Sequence, residues 1–93
     1  MKHQFLGQRT AIDALIWLTD RPEELSAFLT ATGVNPGDLA AMAAENGFHL
    51  ALLDFLLAED ARVIAFCADH AIAPEILLQA RASLPGGQDP HWT

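Results

Sequence analysis

The sequence predicts an all-α fold: a compact bundle of about six short helices, two similar three-helix units around a central apolar helix at about 48–58. Three observations predict it. Apolar residues recur at helical spacing along most of the chain. Prolines, glycines and capping residues cut that pattern into short segments. The chain also nearly repeats itself without a gap when residue n is laid over residue n plus about 38, the mark of two helical units in tandem. In that alignment Leu15 and Leu18 fall on Leu53 and Leu56, Trp17 on Phe55, Leu25 on Val63, and Phe28 on Phe66. Val34 falls on Ile72, Pro36 on Pro74 and Leu39 on Leu77.

The first helix is expected from about Gln4 to Thr19, where Phe5, Ile12, Leu15, Ile16 and Leu18 recur near helical spacing. Asp20 then reads as an N-cap, with Glu23 three residues on completing a capping box and Pro22 tolerated in a first turn that needs no donor. A second helix follows to about Thr32 and ends at Gly33, because glycine adopts the left-handed C-terminal conformation at least cost. Asn35 as N-cap and Pro36 at the first helical position start a third helix to about Glu45, with Val34 placed to staple onto Leu39. Asn46-Gly47 closes it. A fourth helix runs from near Phe48 to about Ala58, and Glu59-Asp60 puts negative charge at the start of a fifth that reaches about Ala71. Ile72-Ala73-Pro74-Glu75 repeats the earlier restart, and the sixth helix ends near Leu84. Residues 1–84 thus read as one domain and 85–93 as a loose tail, with Trp92 free in it.

The fourth helix should be the most buried element. Phe48, Leu50, Leu52, Leu53, Phe55, Leu56 and Leu57 cover most of its circumference and leave only a strip of Ala51, Asp54 and Ala58. Comparison of the two units adds a second expectation. Where the first has Thr19, Ser26, Asp38 and Ala40, the second has Leu57, Ile64, Ile76 and Leu78. These four should cover something that the first unit leaves wet, either the seam between the units or the interface with a partner or second copy.

The composition limits the chemistry. At 93 residues with 52% hydrophobic content, the chain carries more apolar surface than so small a domain readily buries, which favours a protein partner or self-association. Its formal charge is −7, and the bases Lys2, Arg9, Arg21, Arg62 and Arg81 are scattered singly. Phosphate backbones and anionic membranes need clustered cations, so neither nucleic acid nor membrane is expected to bind. A lone Cys67 excludes an internal disulfide and fits a cytoplasmic setting. No export signal is legible, because Arg9 and Asp13 interrupt the N-terminal stretch.

No catalytic, metal or cofactor residue is expected. Cys67 and His70 have a ligand-like spacing, but a closed zinc site needs about four ligands. Cys67 aligns with Leu29 and should pack as a small apolar residue. Asp54 lies in the exposed strip of its helix, and Trp17 should be core. The segments Leu25–Met42 and Val63–Ala80 have a helix-turn-helix outline, yet their second helices lack the Arg, Lys, Asn or Gln array of a DNA reader.

Leu15-Ile16-Trp17-Leu18, Phe28-Leu29 followed by Gly33, Phe48, Leu53-Asp54-Phe55-Leu56-Leu57, Phe66, Pro74-Glu75 and Ala80-Arg81 together resemble a family of small alphaproteobacterial proteins with a domain of unknown function. The resemblance covers about Gln8 to Leu84. It implies a wholly helical, cytoplasmic bacterial protein and assigns no functional residue. The apolar excess and the absence of a polar constellation make the expected role a non-enzymatic protein–protein interaction domain. The alternative is a helix-turn-helix-like transcriptional regulator acting with a basic partner, and a small ligand in a gap between the two units is a third reading.

Overall fold

Helical periodicity and proline punctuation build six helices and one 3-10 turn over residues 2–87, the portion described by this computed structural model, with side chains described from residue 5 onward. They are α1 (Lys2–Thr19), α2 (Pro22–Thr32), the 3-10 turn Pro36–Asp38, α3 (Leu39–Met42), α4 (Asn46–Leu57), α5 (Asp60–His70) and α6 (Pro74–Ser83). No strand occurs among the described residues. Residues 88–93, including Trp92, lie outside them. Among the described residues no single helix is long and apolar enough to cross a membrane.

The central helix is α4. Leu52, Leu53 and Leu56 are fully buried, Phe48 nearly so, and the helix packs on α1, α5, α6 and α2. Asp54 stays on its exposed side and pairs with Arg81 of α6. One buried polar residue of α4 escapes the periodicity argument. His49 is 3% exposed, and its Nε2–H donates to the Ala43 carbonyl at 2.6 Å, fastening α4 to the preceding turn.

A different logic packs α1. Its buried face is made of small residues, Gly7, Ala11 and Ala14, with Leu18 at the end, so α6 comes close enough for Ala80 to be fully buried against the bundle. A Cβ on Gly7 would lie 2.5 Å from Ser83 Oγ, 2.6 Å from Leu84 Cγ and 2.7 Å from the Ala80 carbonyl oxygen. Only glycine fits that crossing. Two of the large apolar residues that suggested the helix are turned outward instead: Phe5 is 71% and Ile16 58% exposed.

The two halves keep the 38-residue register in their helix ends: Thr19 and Leu57, Pro22 and Asp60, Thr32 and His70, Pro36 and Pro74. Their aromatic contacts cross between halves in the same register. Trp17 meets Phe66 edge-on at 5.6 Å, and Phe55 meets Phe28 edge-on at 5.4 Å. Each first ring also carries a guanidinium, Arg21 4.1 Å from the Trp17 centroid and Arg62 3.8 Å from that of Phe55. Each guanidinium in turn reaches a carboxylate of the other half, Arg21 with Asp69 at 2.5 Å and Arg62 with Glu24 at 2.8 Å.

Four boundaries differ from those expected. Asp20 does not cap α2: Arg21 takes the N-cap position without a side-chain cap bond, because Pro22 starts the helix one residue later than a capping box requires. The third helix is not continuous, but a 3-10 turn followed by the four residues of α3. Asn46-Gly47 does not close it; Glu45 is extended and the pair forms the first turn of α4. Finally, Pro85–Gly87 turn back on the bundle. Leu84 is fully buried, the Gly87 N–H donates to the Leu84 carbonyl at 2.8 Å, and Arg81 Nη1 donates to the Gly87 carbonyl at 2.6 Å.

Candidate functional site

A pocket of about 300 Å³ opens between α1, α5 and α6, lined by Leu6, Arg9, Thr10, Asp13, Phe66, His70, Ile72 and Ile76. Its floor follows from the register of the two halves. Thr10 occupies the position that Phe48 holds 38 residues later, and Phe66 that of Phe28. At the register-related crossing the Phe48 ring fills the space against Phe28, with centroids 5.5 Å apart. Here a threonine stands in its place, and the missing ring leaves the pocket.

The polar groups at this pocket are poorly satisfied within the protein. Arg21, Arg62 and Arg81 each form an ion pair, whereas Arg9 forms none among the described residues. Asp13, one turn along the same helix, forms none either, and the Thr10 hydroxyl makes no hydrogen bond to a described residue although Thr10 is only 6% exposed. His70 is fixed on the other side. Its ring lies 4.2 Å from that of Phe66, and its Nδ1 is 3.1 Å from the Phe66 carbonyl. A carbonyl can only accept, so Nδ1 carries a proton in this contact, and Nε2 is an acceptor in the neutral ring.

Beside the pocket, α1 presents an apolar stripe outward. Phe5, Ile12 and Ile16 recur at helical spacing, with Arg9 and Asp13 along its edge. Ile12 is half-buried; Phe5 and Ile16 are the exposed ends.

The four residues singled out from the comparison of the units do not behave alike. Leu57 is half-buried against the core, and Ile76 is half-buried in the pocket wall. Ile64 and Leu78 are 66% and 59% exposed on α5 and α6. The latter two therefore do not seat one unit on the other. Cys67 is 5% exposed in the core, and burial, reinforced by the nearby Glu75 carboxylate, pushes its thiol pKa up. It is held as the neutral thiol, a packing group.

The residues that periodicity overlooked are Arg9, Thr10, Asp13 and Asp69. The alignment of the two halves already carried the signal for Thr10, since threonine opposite phenylalanine predicts a gap. For Asp69 no signal existed, because its partners come from another helix. The Trp17 indole N–H donates to Asp69 Oδ2 at 2.8 Å and Arg21 Nη2 joins it at 2.5 Å, so the Asp69 carboxyl titrates below its ordinary range. The helix-turn-helix outlines gain no reading surface from the fold: α3 spans four residues without a basic side chain, and Arg81 of α6 is held by Asp54 and Gly87.

Comparison with curated proteins and with solved structures gives no match. The family described as protein of unknown function (DUF3572) matches residues 6–87, a span that begins on α1 and ends at the turn closed by Gly87. That match takes in every helix, the pocket and the C-terminal turn, and the chain belongs to this family of unknown function.

Proposed function

We propose that the chain is a non-catalytic interaction domain that docks a protein partner, or a second copy of itself, on the outer face of α1. The observation that carries this reading is the stripe Phe5, Ile12 and Ile16, whose two ends Phe5 and Ile16 stand open although both are large and apolar. Burying an exposed side chain of this size is worth about 1.5–3 kcal/mol, so Phe5 and Ile16 would act as anchors, with Arg9 and Asp13 as a polar rim. A cytoplasmic setting fits a chain whose one cysteine is a buried neutral thiol. The crossed aromatic pairs support the reading of the chain as two similar helical units.

The test is the double variant Phe5→Glu, Ile16→Glu. Both side chains are exposed, so melting should stay within about 0.5 kcal/mol of the wild type. Light scattering of the pure protein, and cross-linking of the native complex in its cell, should show loss of the self-associated or partner-bound form. A wild-type chain that is monomeric, with a cross-linking pattern the double variant leaves intact, overturns the reading.

A further inference from the structure

We propose that the pocket between α1, α5 and α6 binds a free amino acid with an aliphatic or aromatic side chain, as its zwitterion. The pocket is a built cavity of about 300 Å³, at the small end of the range in which ligands are held. Leu6, Phe66, Ile72 and Ile76 give it apolar walls. It exists because Thr10 stands 38 residues before Phe48, whose ring closes the register-related space against Phe28.

The unmatched polar groups select the ligand class. Arg9 offers a guanidinium with no ion-pair partner among the described residues, and Asp13 a carboxylate in the same condition. A simple anion would satisfy Arg9 but meet repulsion from Asp13, in a protein of formal charge −7. A simple cation would meet the converse at Arg9. A neutral apolar molecule would cover the hydroxyl of Thr10, a residue only 6% exposed, without bonding it, and a hydroxyl buried without a partner is costly. A molecule with a carboxylate for Arg9 and an ammonium for Asp13, on one carbon that also bears an apolar side chain, uses all of them. His70, anchored through Nδ1 to the Phe66 carbonyl, offers Nε2 in its neutral form as a second receiver for ammonium protons, and Thr10 can donate or accept.

The experiment is a titration of the ¹⁵N-labelled full chain with L-phenylalanine and L-leucine, against 3-phenylpropionate, which lacks the ammonium, and 2-phenylethylamine, which lacks the carboxylate. Saturable shifts should appear in Leu6–Asp13 and Phe66–Ile76 for the amino acids, and each truncated probe should bind about tenfold more weakly or worse. Thr10→Phe copies the residue of the other half and should abolish binding with melting kept or raised. Arg9→Gln, at an exposed position that packing does not depend on, should weaken binding by about tenfold, so the proposal stays testable if Thr10→Phe fails to fold. Absence of saturable shifts, equal affinity for the truncated probes, or undiminished binding by a folded Thr10→Phe chain would each overturn it.

Discussion

Ala71 holds a left-handed backbone, φ +54°, at the position that Gly33, φ +75°, occupies 38 residues earlier. The local hydrogen bonds explain why an alanine accepts it. The Ile72 N–H donates to the Cys67 carbonyl at 3.0 Å and the Ala71 N–H to the Ala68 carbonyl at 3.3 Å, a Schellman closure that uses two otherwise orphaned carbonyls of α5. An L-residue pays roughly 1–2 kcal/mol for that conformation, and a Cβ on Gly33 would meet nothing within 4 Å, so the cost at both sites is conformational. Ala71→Gly should therefore stabilise the chain by about 1 kcal/mol and Gly33→Ala destabilise it by a similar amount, read as opposite shifts of the urea midpoint at constant slope. Asp69 makes a second prediction at this scale. Its pKa is depressed in the folded chain, chiefly by the Trp17 hydrogen bond, which outweighs the opposing effect of burial, with Arg21 adding to the depression. The stability this contributes is present above the unfolded carboxyl pKa of about 3.9 and disappears as pH falls through the lower folded value. Asp69→Asn should be less stable than the wild type at pH 7, and the two melting curves should converge in strong acid. A gap that persists unchanged to pH 2 would assign the loss to packing instead.

The crossing of α1 and α6 turns on Gly7. An added methyl would meet not only the movable Ser83 hydroxyl but also the Ala80 carbonyl, which is fixed in a helix. Alanine favours a helix interior by about 1 kcal/mol over glycine, but overpacking costs about 1–3 kcal/mol and here pushes two helices apart. Gly7→Ala should therefore lower stability by a net of about 1–2 kcal/mol, measurable as a fall of roughly 4–8 °C in melting temperature per kcal/mol; an unchanged or higher melting temperature would mean that α6 is free to slide. The same crossing explains what could and could not be read in advance. The six helices and the central place of α4 were legible because large apolar residues encircle that helix and prolines mark the restarts at Pro36 and Pro74. The seating of α1 was not, because a face of Gly7, Ala11 and Ala14 carries almost no hydrophobic signal while Phe5 and Ile16 carry a strong one on the wrong side. The start of α2 was misread because a capping box and Pro22 compete for the same turn, and the proline's fixed φ prevailed. The pocket was legible only as a possible gap between units; its location depends on one threonine.

The whole molecule is held more by contacts that cross between its halves than by those within them. Phe28 of the first half packs on Phe48 and Phe55 of the second, and Phe66 of the second packs on Trp17 of the first. The helix α6 covers α1, and Arg21–Asp69 and Arg62–Glu24 tie the same two halves at the rim. A chain cut between Ala44 and Glu45 therefore separates almost every large buried side chain from its neighbours. Each piece would be near the size below which a single core rarely sustains a fold, roughly 40 residues, and would lack the rings that cover its own. Fragments 1–44 and 45–93, expressed apart, should each show weak helical dichroism at 222 nm and no cooperative melt. Mixed at equal molarity they should recover the helical signal and sediment as a one-to-one complex, because the missing contacts are restored while only the chain connection is lost. The entropy of bringing two pieces together makes that complex concentration-dependent, with a melting temperature that rises as both are concentrated. Either fragment folding cooperatively alone would show that its core is closed from within, and that the crossed aromatic pairs decorate two independent units rather than join one.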